Sequence, residues 1–405
     1  MKTILRALPI FILLMMLIYW VPQIASNSPS EIITQKTKLQ EVKKESNSNQ
    51  STLLKQDTLP EAGMGEYMGK AIETIQEKYG EPLRIDQTAY GYDWWVYGED
   101  EQDYFQIGVS HEGKITNVFV LGSQLDVSPF QIGMDVTEIY QIAMFYPTFS
   151  IDYQEETYML ELSENDLNFH PLIAFENQTF AILMVDRKTN EVNAVRYLDK
   201  RSLLQLGVYE IASQTPVPPV KHQDEELNDI YASNHREILE ILNNLRQRYE
   251  IPELVYSEEL SSIADSVFSY QEKLYAADLL EKDNAEVQKQ LDEEKSSSEG
   301  TLDDDSEIEA FIEEDATTEE TQLGDYPPLT SEQIQMKLEM EQVKVADTRV
   351  LYFDQSADST WLTTFWFSLE NQRRLLTDPE MKRFGISFRG QEVLLMLDKE
   401  AENSE

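Results

Sequence analysis

The chain has 405 residues, of which 41% are hydrophobic, and this is enough for two or three domains with cores of ordinary size. Its net charge of -42 argues against nucleic acid as a partner, because phosphate binding needs a basic surface. The sequence contains no cysteine, which excludes disulfides, thiolate metal sites and cysteine nucleophiles.

Residues 1–26 have the pattern of a membrane anchor or signal segment. Lys2 and Arg6 precede an apolar run from Ala7 to Ala25. A helix of this length just crosses a bilayer core of about 30 Å, and the basic residues before it favour a cytoplasmic N-terminus. We therefore expect a single-pass membrane protein whose later domains are extracytoplasmic. The alternative is a secreted protein, cleaved after Ala25.

Residues 27–60 are rich in Ser, Asn, Gln, Thr and Lys, which predicts a disordered linker. The first domain is predicted over residues 63–211. It opens with a helix in "MGKAIETIQEKYGEP", which ends at Gly80. Three runs rich in aromatic and β-branched residues then predict strands: "AYGYDWWVYG", "YFQIGVS" and "KITNVFVLG".

This order of elements recurs along the chain. The stretches "MGKAIETI" and "IGMDVTEI" align Gly69 with Gly133 and Ile75 with Ile139, and strand-like runs follow both. The pattern predicts tandem αβββ units that form an antiparallel sheet with helices on one face, which is an α+β domain.

A Pro-rich linker is predicted over residues 212–230, before a second domain at 231–400. The second domain begins with two amphipathic helices, in "HREILEILNNLRQRYEIP" and "SEELSSIADSVFSYQE". An acidic, low-complexity stretch at about 285–327 predicts a disordered insertion. The run "QEVLLMLDK" predicts a closing strand.

Two family resemblances rest on these segments. "GKAIETIQEKYGEP" and "YGYDWWVYGED" resemble the CAP-associated N-terminal domain of Gram-positive cell-surface proteins. "NNLRQRYEIPELVYSEELSSIADSVFSYQE" is similar to the first two helices of the CAP domain, also called the SCP or PR-1-like domain. "FWFSLENQRRLLTDPEMKRFGISF" resembles a later motif of that domain. The resemblance implies that a CAP-like α-β-α sandwich follows the first domain.

The family's cavity carries two histidines and two acids that can hold a divalent metal. In this sequence Asn371 stands at the motif histidine, Gln372 at its arginine and Val267 at the earlier histidine. No Glu lies near Val350 and Leu351, where the family has an acid. Valine can neither bind a metal nor exchange protons, so we expect a degenerate CAP domain with no catalytic residue, metal or cofactor.

Candidate ligand-binding residues lie in two places. In the motif they are Trp366, Ser368, Asn371, Gln372 and Arg373, where arginine and tryptophan could hold an anionic or glycan ligand. The alternative is a solvated helix edge with the tryptophan in the core. In the aromatic strand they are Trp95 and Tyr97, whose face lies either under a helix or exposed as a binding surface.

The sequence therefore predicts a membrane-anchored, extracytoplasmic, non-catalytic binding or structural module. Its expected partner is a cell-wall polymer or another envelope protein. One alternative is a cell-wall hydrolase or peptidase that uses carboxylates. A second is an envelope sensor or assembly factor that acts through a membrane-protein partner.

Overall fold

The computed structural model describes residues 31–34, 56–213, 217–297 and 326–399. The predicted membrane segment, residues 1–26, lies outside these ranges. Within them, every helix is too short or too polar to cross a membrane.

The described chain starts with a short strand, β1 (Glu31–Thr34). The first repeat unit then contains a 3-10 turn at Gly63–Tyr67, helix α1 (Glu73–Tyr79) and strands β2 (Arg84–Gln87), β3 (Tyr92–Tyr97), β4 (Phe105–Ser110) and β5 (Ile115–Val120). The predicted helix and three strands are therefore present, and β2 is an additional strand.

The second unit has the same plan with an inserted hairpin. Its elements are α2 (Val136–Ile142), β6 (Thr148–Tyr153), β7 (Glu156–Glu161), α3 (Glu164–Phe169), β8 (Leu172–Ala174), β9 (Phe180–Val185) and β10 (Val192–Leu198), followed by α4 (Lys200–Leu206) and β11 (Glu210–Ala212). The units share a seven-stranded sheet of order β2-β3-β4-β5-β10-β9-β8, beside a three-stranded sheet of order β11-β7-β6.

Equivalent backbone contacts confirm the repeat. Gly69 N donates to Ile115 O at 2.8 Å, and Gly133 N donates to Val192 O at 2.8 Å. Both glycines have positive φ, +75° and +85°, a conformation that side chains with a Cβ rarely adopt. Strands β5 and β10 pair antiparallel at the centre of the sheet and join the two units.

The second domain is an α-β-α sandwich. Its elements are α5 (Asp224–Arg248), β12 (Val255–Tyr256), α6 (Glu258–Ser297), α7 (Ser331–Met340), β13 (Thr348–Phe353), α8 (Ser359–Phe367), α9 (Glu370–Leu376), β14 (Arg383–Arg389) and β15 (Glu392–Asp398). The sheet order is β1-β13-β15-β14-β12. Because side chains alternate along β13, Leu351 packs with α5 and α8, whereas Val350 packs with α6 and α7.

The predicted disordered linker over residues 27–60 is wrong at both ends. Strand β1 pairs in parallel with β13, with Glu31 opposite Arg349. Near the other end, Leu59 N donates to Ala174 O at 3.0 Å. Both contacts supply partners to the open edge of a sheet, whose backbone groups otherwise stay unpaired. Residues 35–55 lie outside the described ranges.

The structure also corrects two other boundaries. The linker predicted over 212–230 is shorter in the structure. Helix α5 already begins at Asp224, where Gln223 and Glu226 form a capping box. The disordered insertion predicted from about residue 285 starts later in the structure. Helix α6 continues to Ser297 because this part of the chain is a run of good helix formers. Residues 298–325 lie outside the described ranges.

The two domains share one hydrophobic core. One face of the seven-stranded sheet carries Trp94 and Phe119, and these pack in the same cluster as Ile241, Trp361 and Trp366 of the second domain. Helices α1 and α2 cover the opposite face of the sheet. The domains therefore form a single packed unit.

Candidate functional site

The motif tryptophan and serine lie inside the protein. Asp358 caps the start of α8 by accepting a hydrogen bond from Trp361 N at 2.8 Å. Trp366 is 1% exposed and belongs to the shared core. Ser368 is buried, and its Oγ donates to Phe365 O at 2.6 Å. Both predicted ligand-binding residues have structural contacts instead.

Arg373, the residue after the motif-arginine position held by Gln372, joins the two domains. Arg373 Nε donates to both carboxylate oxygens of Asp186, at 2.8 and 2.7 Å. The guanidinium lies 4.8 Å from the ring centroid of Tyr249, whose hydroxyl donates to Asp186 Oδ2 at 2.6 Å. Gln372 is buried and Asn371 is exposed. The motif candidates are thus not gathered in one open pocket.

The aromatic strand is covered on both faces. Tyr97 is 3% exposed and stacks on Phe105 at a centroid distance of 4.8 Å. Tyr79 of α1 packs edge-on against the same phenylalanine at 4.9 Å, and Trp95 is half-buried against this cluster. Tyr97 is therefore not part of an exposed binding surface, because Phe105 and the α1 side of the domain cover it, whereas Trp95 keeps part of its surface exposed.

Two of the positions that the resemblance assigns to metal-binding side chains, Val267 and the site near Val350, are apolar and closely packed, whereas Asn371 at the motif histidine is exposed. Val267 and Val350 are both fully buried and belong to one cluster, to which α7 contributes Ile334 and Leu338. Across the described ranges, histidine and acidic side chains form no group of three or more that could hold a metal ion.

Two histidines lie against aromatic rings. The His170 ring is fully buried between Trp361 and Phe365, at centroid distances of 4.8 and 5.3 Å, and burial lowers its pKa to about 3. His235 stacks on Phe388 at 5.4 Å, and burial lowers its pKa to about 4. His170 therefore packs across the domain junction as a neutral ring.

An open cleft of about 750 Å³ lies along this junction. The first domain contributes residues 88–90, Trp94 and Gln205, and residues 217–222 form one rim. The second domain contributes residues of α5 up to Asn234, residues 357–359 and the turn at Gly390.

Hydrogen bonds between neighbouring segments fix the shape of the cleft. His222 Nε2 lies 3.1 Å from Ala89 O, which holds the rim against the first domain. Asn234 Nδ2 donates to Ala357 O at 3.0 Å. Gly390 N donates to the hydroxyl of Tyr231 at 2.9 Å. The cleft is thus a built feature of the junction.

Two buried carboxyl groups lie at the wall of the cleft: Asp358 lines it, and Glu237 lies behind the lining residue Ser359. Asp358 accepts a hydrogen bond from Arg196 Nη1 at 2.7 Å, so it has a charged partner from the first domain. Glu237 is fully buried and accepts a hydrogen bond from Ser359 Oγ. Burial raises the pKa of Glu237 well above its usual value, and the charge of Asp86 raises it further.

The two carboxyl groups were not predicted from the sequence, although the spacing of polar residues in α5 indicates buried polar side chains. Asn234 lies four residues from both Ile230 and Ile238, and Glu237 lies four residues before Ile241, so both fall on the face that the apolar residues define. Polar residues at such positions are buried and need partners. The partners Ser359 and Ala357 come from a distant part of the chain and have no local signal.

The fold consists of two packed domains, and each is similar to a domain of known proteins. Residues 68–209 match the family model described as CAP-associated N-terminal, as the sequence resemblance predicted. The second domain has the CAP, or SCP, fold of known structures, which confirms the predicted α+β class.

Three relatives illustrate the similarity. An extracellular protein containing an SCP domain from Bacillus anthracis has 22% identity and a TM-score of 0.62, over 91% of this chain and all of its own. A cysteine-rich secretory protein from Staphylococcus aureus has 19% identity and a TM-score of 0.63, over 85% and 95%. The uncharacterized membrane protein YlbC of Bacillus subtilis is 27% identical over 242 residues, which cover 57% of this chain and 69% of YlbC.

Proposed function

We propose that the protein is a membrane-anchored envelope protein whose two domains act as one non-catalytic binding module. The observation that carries the proposal is the Arg373–Asp186 pair, in which a motif residue joins the domains instead of facing a ligand. The valines at the expected histidine and acid positions support the loss of the family's cavity. The interdomain cleft then becomes the concave surface available to a ligand.

The proposed location rests on two observations. The apolar segment from Ala7 to Ala25, preceded by basic residues, supports a cytoplasmic N-terminus and extracytoplasmic domains. The similarity to a Bacillus membrane protein supports an envelope location. A cell-wall polymer or another envelope protein is the partner that such a location offers.

Co-sedimentation tests this proposal. The full-length chain, purified in detergent, is mixed with isolated Gram-positive cell wall and separately with membrane protein fractions immobilised on beads. We expect saturable binding of the chain to one of the two fractions. We also expect that the chain does not cleave the material to which it binds. A chain that binds neither fraction at any accessible concentration would contradict the proposed function.

A second candidate function is wall hydrolysis, favoured by the two carboxyl groups at the wall of the cleft. Their surroundings differ, since Glu237 is held neutral by burial whereas Asp358 has a cationic partner, and such pairs can divide acid and base roles. We rank this function second because both side chains are buried and Asp358 already caps α8. Glu237→Gln separates the two, since it abolishes turnover only if the carboxyl group is catalytic.

A further inference from the structure

We propose that the interdomain cleft binds an uncharged oligosaccharide, and that Gln205 and the Tyr90 and Tyr231 rings recognise it. This inference rests on the proposed binding function and names the ligand class and the site. It uses the shape of the cleft, the polar groups on its walls and their charges.

The size of the cleft suits several sugar units. Its volume of about 750 Å³ lies within the range of roughly 300–1,000 Å³ that small-molecule sites occupy. Because the cleft is open to solvent between the two domains, an elongated ligand can enter it along the junction.

The walls combine aromatic and apolar surface with neutral polar groups. Tyr90 and Tyr231 are each half-buried, with Leu204 and Val220 beside them. The amide side chains of Gln205 and Gln391 also line the cleft. A sugar ring has an apolar face and a rim of hydroxyls, so it matches aromatic surface next to amide groups.

One acceptor on these walls has no partner in the described structure. Gln205 Oε1 is sheltered from solvent and accepts no hydrogen bond from the described residues. A sheltered amide oxygen without a donor carries a free-energy cost that a ligand hydroxyl would relieve. Gln205 is only partly buried and lines the cleft, so a rotation of its side chain brings this oxygen to a ligand hydroxyl.

Charge distinguishes neutral sugars from polyanionic wall polymers. Asp358 is neutralised by Arg196, and Lys221 lies on the exposed rim of the cleft. The whole chain carries a charge of -42, which repels a polyphosphate or polycarboxylate as it approaches. An uncharged oligosaccharide is not repelled by this charge and can still contact the aromatic and amide groups on the walls of the cleft.

The test uses full-length protein in detergent and a panel of uncharged oligosaccharides of three to six units, built from glucose or from N-acetylglucosamine. Binding is measured by calorimetry for wild type, Gln205→Leu and Gln391→Trp. The leucine removes the amide acceptor, and the tryptophan narrows the cleft from an exposed position. Gln124→Leu is the matched control, because that exposed glutamine pairs with Gln102 outside the cleft.

We expect saturable binding of at least one oligosaccharide, weakened roughly fivefold by Gln205→Leu, abolished by Gln391→Trp and unchanged by Gln124→Leu. Thermal unfolding of each variant identifies any that fails to fold. If one cleft variant does not fold, the binding affinity of the other still tests the site.

Two results would overturn the inference. If no sugar of the panel binds, or if both cleft variants bind like wild type, the cleft is not an oligosaccharide site. Should cell wall or membrane protein still co-sediment with the chain, the proposed function survives and the partner is of another class or binds elsewhere. Loss of both kinds of binding would refute both proposals.

Discussion

Arg373 Nε lies 2.8 and 2.7 Å from the two carboxylate oxygens of Asp186, and this pair links the CAP-like domain to the CAP-associated domain. The residues are 187 positions apart in sequence, and both side chains are buried. Tyr249 adds a ring beneath the guanidinium and a hydroxyl on the carboxylate. A side chain next to the motif positions of Asn371 and Gln372 thus forms part of the domain junction.

The first prediction concerns the stability of this junction. Arg373→Met leaves the Asp186 carboxylate buried beside Tyr249 without its cation, and breaking a buried pair in this way costs about 3–5 kcal/mol. Urea unfolding of the full-length chain measures the loss. The matched control is Lys282→Met, which breaks an exposed, solvent-screened pair with Asp278 and should leave the stability nearly unchanged. Equal effects of the two variants would mean that the pair does not hold the domains together.

The second prediction concerns Glu237 and alkaline pH. Its folded pKa lies well above the unfolded value of about 4.3, so the native state retains a proton that the unfolded state releases. Stability therefore falls as pH rises above about 4.3, by up to about 1.4 kcal/mol per pH unit, until the folded group itself ionises. Glu237→Gln removes this slope, because the amide resembles the neutral acid.

Urea midpoints between pH 4.5 and 8 measure the Glu237 effect as the difference between variant and wild type. Glu332→Gln, at an exposed glutamate in the first turn of α7, is the control for removing a carboxylate. A difference that stays constant over this pH range would show that Glu237 does not keep its proton.

The third prediction has the opposite sign and concerns His170. Its folded pKa of about 3 lies below the unfolded value of about 6.5, so the unfolded state binds a proton that the native state excludes. Stability is lost as pH falls from about 6.5 towards 3. His170→Phe keeps a ring against Trp361 and Phe365 and should reduce the acid sensitivity. Near-UV circular dichroism against pH follows the transition, and an unchanged acid midpoint would count against the prediction.

The fourth prediction concerns strand β1. Glu31 faces Arg349 across the parallel pair, so Glu31→Cys with Arg349→Cys should form a disulfide under mild oxidation. The natural chain has no cysteine to compete. Thr34→Cys with Arg349→Cys is the control, because Thr34 faces Tyr352 and is displaced by about 10 Å along the strand. Non-reducing gels and mass spectrometry detect the cross-link. Equal disulfide yields from the two cysteine pairs would argue against this register.

The sequence predicts the local features of the fold well. The repeat could be recognised because Gly69 and Gly133 need the same positive φ and because the apolar spacing around them is equivalent. Alternation in "YGYDWWVYG" correctly separates Trp94 from Tyr97 on opposite faces of β3. It could not show that both faces are covered, since the covering elements are remote in sequence.

The site was harder to predict for the same reason. Asp186 follows a buried strand and looks like an ordinary turn residue until Arg373 is brought to it. The cleft combines segments near residues 90, 205, 220 and 358 of the chain. No periodicity links such segments, because their proximity comes from the packing of one domain on the other.

In the proposed function the protein binds envelope material without processing it. The most direct test incubates full-length chain with isolated Gram-positive cell wall and measures both the bound protein and the soluble wall fragments released over time. We predict saturable binding, with fragment release by wild type no greater than release by Glu237→Gln or by the buffer alone. Release that exceeds the buffer control, grows with protein concentration and disappears in Glu237→Gln would contradict the claim and identify a hydrolase.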